Sequence, residues 1–191
     1  MPKDEKVIIE QIITNEELIS QAWQAYLDSF ADTDDYCAQD QICYDQSSFT
    51  AAMNDSEYFK YILYAGDKII GICFMTNNLV KARIAYCNDR YLKKKFSRYT
   101  SENRLYYVTA LCISPDAQSQ GYGFKLMAAM ITFFIENHAA VAFDYSENKN
   151  EGLADMVAMV AESAHKSPAK VSTLDRQCYV TVHISRHGDP D

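Results

Sequence analysis

The stretch of this chain best suited to chemistry is Gln118-Ser119-Gln120-Gly121-Tyr122-Gly123. It follows an apolar segment, Leu105–Ile113, that ends at Ser114-Pro115, and it precedes the nearly unbroken apolar run Phe124–His138. Only six of the 191 residues are glycine, and two of them fall in one tripeptide. A chain so sparing of glycine has a backbone reason to set two together. At a helix start the first N–H groups lack intrahelical partners, and the helix end favours negative charge. Glycines there let a ligand approach the backbone, which makes a phosphate cradle. The stretch lacks the Gly-Lys-Ser/Thr of a Walker loop and the third spaced glycine of a dinucleotide fingerprint. Tight helix–sheet packing without a ligand is the competing reading of the glycine pair.

Other reactive residues point nowhere so definite. The cysteines (37, 43, 73, 87, 112 and 178) show no CxxC spacing and no nearby histidine completes a zinc set. The expectation is reduced thiols and no metal, with Cys112 packed as a small hydrophobe rather than acting as a nucleophile. His138, His165, His183 and His187 suggest no Ser/His/Asp set. Fourteen tyrosines make a hydroxyl near any site cheap to find.

The net charge is −8 and unevenly spread. Residues 1–57 carry 13 acids against 2 bases, and residues 77–104 carry 8 bases against 2 acids. A net-acidic chain is a poor general binder of nucleic acid. The basic segment could meet a small phosphorylated ligand, form a solvated face, or neutralise the acidic third. No apolar run approaches the roughly 20 residues of a membrane span, and the charged start Met-Pro-Lys-Asp-Glu-Lys is unlike a signal peptide. A soluble, cytoplasmic protein is expected.

These residues need elements to position them. Lys6–Ile13 reads as a strand, and Thr14 with Glu17 reads as a capping box for a helix through Phe30. A polar, acidic loop is expected over Asp32–Gln46, and a short helix over Ser47–Met53. Tyr58–Tyr64 and Lys68–Thr76 flank Ala65-Gly66-Asp67 as a hairpin. The basic segment, with a helix over Asp89–Tyr99, reads as an insertion at about 77–104. Strand Leu105–Ile113, helix Phe124–His138, strand Ala139–Tyr145, a helix from Leu153 stopped by Pro168, and an alternating strand Cys178–Ser185 complete one domain over 1–191. The order predicts an α/β fold of the α+β kind. A mostly antiparallel mixed sheet carries one parallel pair from the central βαβ crossover, with helices on both faces.

At this point the sequence resembles the GNAT superfamily of acetyl-CoA-dependent N-acyltransferases. Its cofactor motif, Gln/Arg-x-x-Gly-x-Gly/Ala after an apolar strand and a loop often bearing proline, is matched by Gln118, Gly121, Gly123 and Leu111-Cys112-Ile113-Ser114-Pro115. The resemblance implies that backbone N–H groups of Gln120, Gly121, Tyr122 and Gly123, with Ser119, hold the pyrophosphate of coenzyme A. It implies that the strands 105–113 and 139–145 splay. Pantetheine then lies between them on main-chain groups of Leu111, Cys112 and Ile113, beside Asn148 or Asn150. The Ile113 N–H is the implied donor to the thioester oxygen.

The family often places a tyrosine seven residues past an asparagine, as the acid for the departing thiolate. Here those positions hold Asp155 and Val157. Tyr145 is the best substitute, ahead of Tyr107 and Tyr179. The resemblance also places the segment after the first helix at the acceptor end. There Asp32, Asp34 and Asp35, with Asp40 and Asp45, would attract a cationic small-molecule or peptide amine; a solvated loop explains them as well. The alternatives to an acetyltransferase are a non-catalytic acyl-CoA-binding sensor or scaffold, and an unrelated α+β binding domain. A monomer or a homodimer suits each.

Overall fold

The computed structural model describes residues 5–37, 44–82, 88–166, 169–176 and 180. Five strands, β1 (Glu5–Glu10), β2 (Tyr58–Ala65), β3 (Lys68–Thr76), β4 (Leu105–Ile113) and β5 (Ala140–Ala142), form a sheet in sequence order. Neighbours are antiparallel except β4 and β5, which are parallel. Helices α1 (Glu16–Phe30), α2 (Thr33–Tyr36) and α3 (Gln46–Asn54) precede the hairpin. The basic segment supplies α4 (Asp89–Lys95) and α5 (Ser97–Ser101), while α6 (Tyr122–Glu136) and α7 (Leu153–His165) flank β5. The expected mixed sheet is present.

Strand alternation feeds two cores. Ile62, Ile72, Phe74, Ala110 and Cys112 meet α1 and α3 on one face. Leu63, Cys73, Met75 and Val108 meet α6 on the other. Beyond the α1 core, Leu79, Ala82 and Leu92 of the basic segment pack with Leu105, Tyr107 and Ala142. Lys81 also pairs with Asp55 at 2.5 Å and with Glu57, which joins the basic segment to the acidic third.

Several boundaries depart from the sequence reading. Asn15, not Thr14, caps α1 by accepting from the Leu18 N–H at 3.1 Å. Two adjacent capping residues compete there, and the one whose oxygen reaches the third helical N–H prevails. Asp45 and Ser48 form the capping box at α3, and the acidic loop holds the short helix α2. The helix read over 89–99 divides at Phe96 into α4 and α5. Helix α6 starts two residues earlier than expected, at Tyr122. The expected strand 178–185, with Tyr179 and His183, lies outside the described residues apart from position 180, as do Asp40, Cys43, Cys87 and Pro168.

Lys60 is an unexpected core residue. It is fully buried on β2, and its ammonium donates to the carbonyls of Gln11, at 2.5 Å, and Asp55. Burial lowers its pKa from 10.5 to about 8, against the opposing pull of the Asp55 charge. Below pH 8 both folded and unfolded chains hold this proton, and the penalty of burying the charge is complete. Between 8 and 10.5 the unfolded chain binds a proton that the folded one has lost, so stability rises with pH. Denaturation midpoints of the parent relative to Lys60→Met should therefore climb from pH 7.5 to pH 10. A constant difference would show that the buried amine keeps its ordinary affinity for protons.

Candidate active site

Strands β4 and β5 pair at only three positions, Leu105↔Ala140, Tyr106↔Val141 and Tyr107↔Ala142, after which β4 continues to Ile113 paired with β3 alone. The sequence reading ran β5 on to Tyr145; the described strand stops at Ala142. The cause lies in β4. Its register with β3 jumps from Met75↔Val108 to Phe74↔Ala110, leaving Thr109 as an extra residue. Such a bulge bends its strand and ends pairing. It also reverses the alternation: Tyr106 and Val108 face α6 before it, and Leu111 and Ile113 face α6 after it. The Thr109 hydroxyl is fixed by the Tyr44 hydroxyl at 2.6 Å.

The bulge decides which backbone groups the gap receives. The Ser114 N–H donates to Ile70 of β3, so by alternation Cys112 also addresses β3 while Leu111 and Ile113 turn their amides to the open edge. The Ile113 carbonyl accepts there from Gln118 Nε2 at 3.0 Å. A cavity of about 500 Å³ occupies the gap. Its walls are β4 from Val108 to Ile113, apolar residues of α6 and α7, the end of α1, and the segment after β5.

The glycine loop closes one end. Ser119 and Gly121 have φ of 60° and 82°, a region that disfavours side chains. Gly121 caps α6 with no side-chain hydrogen bond to the first turn, so the N–H groups of that turn stay available to a ligand. A Cβ on Gly123 would meet only Ile113 Cγ1, at 3.8 Å, an ordinary contact. Helix–sheet packing therefore does not require glycine at 123. Gln120 braces the loop through Nε2 to the Asp116 carbonyl at 2.8 Å, and Tyr122 packs into the α6 core.

Of the expected cofactor residues, Leu111, Cys112, Ile113, Gln118, Gly123, Asn148 and Asn150 line the cavity; Ser119, Gln120, Gly121 and Tyr122 form the adjoining loop. Burial pushes the Cys112 thiol up to about 12, which keeps it protonated and unsuited to nucleophilic attack. Tyr145 lines the cavity half-buried, tilted against Phe143 with ring centres 5.9 Å apart. Tyr107 does not line it. Its ring is buried beside Leu92 and Ala142, and its hydroxyl donates to the Asp144 carboxylate.

Among the acidic trio, Asp32 lines the cavity, Asp35 is exposed outside its lining, and the Asp34 side chain lies outside the described residues. Lys149 holds the Asp32 carboxylate below its usual range by a hydrogen bond, which outweighs the opposing effect of desolvation. Val157 and Met156 present α7 to the cavity, whereas Asp155 does not line it.

Three contributors escaped sequence reasoning. Lys149 gave no local signal, because its partner is 117 residues away. The bulge at Thr109 has no signature in an apolar run. Gly71 did have one, as an isolated glycine inside a strand. A Cβ there would come within 2.5 Å of Ile113 Cδ1 and 3.2 Å of the Cys112 carbonyl, so its absence lets Ile113 sit where it does.

Among the described residues no helix is long and apolar enough to cross a membrane, and no group of three or more potential metal ligands occurs. No curated protein matches the chain. Two solved structures, both from uncultured soil microbes, share the fold. An aminoglycoside acetyltransferase in complex with sisomicin is 13% identical, with 92% of this chain and 97% of that one covered and a TM-score of 0.51. The N-acyl amino acid synthase FeeM is 11% identical, with 78% of each chain covered and a TM-score of 0.51. The model of the acetyltransferase (GNAT) family matches residues 16–156. With that match over most of its length, the chain belongs to the GNAT acetyltransferase family.

Proposed function

We propose that the protein is an N-acetyltransferase that moves an acetyl group from acetyl-CoA to a primary amine of a cationic small molecule or peptide. The observation that carries this reading is the uncapped start of α6, where Gly123 is free of any packing demand and opens onto the bare edge of β4. Acetyl-CoA, when bound, supplies an activated thioester. The N–H groups of Gln120, Gly121, Tyr122 and Gly123 hold its pyrophosphate, and Ser119 adds a hydroxyl. Main-chain groups of Leu111 and Ile113, with Asn148 or Asn150, receive the pantetheine. Ile113 adjoins the cradle, so the Leu111 N–H, one open-edge position deeper, serves as donor to the thioester oxygen. Tyr145 protonates the departing sulfur. The acidic segment around Asp32, Asp34 and Asp35 raises the local concentration of a cationic acceptor.

Coenzyme A at about one hundred times its dissociation constant should stabilise the fold by about 2.7 kcal/mol, a rise in Tm of about 5–10 °C for a chain this size. Thiol release should then appear with at least one amine from a panel of spermidine, sisomicin and a lysine-bearing peptide. An unchanged Tm would remove coenzyme A from the reading. Stabilisation without thiol release would favour the second reading, a non-catalytic acyl-CoA-binding module. That reading has one observation behind it: α7 offers Met156 and Val157 to the cavity rather than a hydroxyl.

A further inference from the structure

Among the described residues, two carboxylates line the cavity, Asp32 and Asp144. They differ in what they touch. Asp32 is neutralised by the Lys149 ammonium. Asp144 is exposed, and it accepts from the Tyr107 hydroxyl, which fixes its direction without cancelling its charge. Among the described residues no cation is paired with it.

The surroundings of Tyr107 add a second observation. It is the last residue of β4 that pairs with β5, opposite Ala142, so it stands where the gap opens. The glycine loop lies beyond the other end of the open edge, after Ile113. Tyr107 is 4% exposed and packs with Leu79, Ala82 and Leu92, all from the basic segment between β3 and β4. A residue buried that firmly can hold an exposed carboxylate at one place in the cavity.

We propose that Asp144 is the catalytic carboxylate that receives the acceptor's ammonium group, and that Tyr107 is its positioning residue, kept in place by Leu79, Ala82 and Leu92 of the basic segment. This rests on the acetyltransferase reading and gives that segment a task at the site. An acceptor amine arrives protonated and is nucleophilic only after losing that proton. Asp144 binds the ammonium as an ion pair and passes one proton from nitrogen to water. The freed nitrogen pair forms the new N–C bond as the C–S bond breaks. The electron pair of that bond leaves with sulfur, which takes a proton from Tyr145 to become the thiol, and the second proton that nitrogen loses on becoming an amide replaces the one Tyr145 gave. One proton is released overall for each amide formed from an ammonium.

The test titrates the full chain, loaded with coenzyme A, with spermidine and separately with sisomicin, reading heat of binding. The parent should bind at least one of them, and Asp144→Asn should weaken that binding at least tenfold with coenzyme A affinity unchanged. Asp144→Glu should recover part of the loss. Tyr107→Phe should weaken amine binding severalfold in the parent and have no further effect in Asp144→Asn, because residues acting through one contact are not additive. Equal losses in both backgrounds would overturn the positioning role. Parent-like amine binding by Asp144→Asn, or no binding of either amine by a parent that binds coenzyme A, would overturn the assignment of Asp144. A parent that does not bind coenzyme A fails the acetyltransferase reading itself.

Discussion

Gly123→Val is expected to abolish coenzyme A binding while leaving the protein folded. The position lies in the first turn of α6, where an added Cβ would meet Ile113 at ordinary contact distance and no other residue within 4 Å outside its own helix turn. The protein can therefore accept it at the cost of a β-branched residue in a helix, a few tenths of a kcal/mol to about 0.7. A phosphate brought against the backbone cannot accept it, because the branched side chain occupies the approach. Gly121→Val is a less clean test, since φ of 82° places any side chain in the left-handed region at a cost of about 1–2 kcal/mol. Loss of binding in that variant could come from a displaced loop. The pair discriminates: a steric cradle predicts loss in Gly123→Val with its melting temperature nearly unchanged, and parent-like binding there would remove the glycine loop from the site.

Tyr145→Phe should lower turnover more than tenfold with little change in coenzyme A affinity. A proton delivered to the departing sulfur stabilises the negative charge that develops there, and general acid–base catalysis contributes about 10²–10⁴-fold. The substitution keeps the ring that packs on Phe143 and removes only the hydroxyl. Among the tyrosines named from the sequence, Tyr107 is engaged by Asp144 and Tyr179 lies outside the described residues. Among the described residues, Tyr145 is the one phenol that lines the cavity. A normal rate in Tyr145→Phe would move the role to Tyr107, to Tyr179 or to water.

The order and type of the elements were legible because each carries a local signal. The β2–β3 hairpin is announced by Ala65-Gly66-Asp67, the buried strand β4 by an apolar run broken only at Thr109, and the loop before α6 by two glycines in a chain that has few. The paired caps at Thr14 and Asn15 show the limit of such signals, which place a helix start within a residue and leave the choice to geometry. The backbone of the loop was equally legible, because two glycines set together in a chain that has few mark a conformation that side chains disfavour, and φ at Gly121 is 82°.

What the tertiary structure alone decided is how far the parallel pair extends and which groups face the gap. The bulge at Thr109 arises from pairing with β3, which no property of Leu105–Ile113 reveals, and it determines that Leu111 and Ile113 present their amides to the open edge. The charge map has the same limit. The sequence gathers acids before residue 58 and bases after residue 77, but a carboxylate's strength depends on what comes within a few ångströms of it. Lys149 reaches Asp32 across 117 residues of chain, and a neutral phenol reaches Asp144 across 37. Electrostatic interaction falls with distance in space, and distance in space is set by the fold.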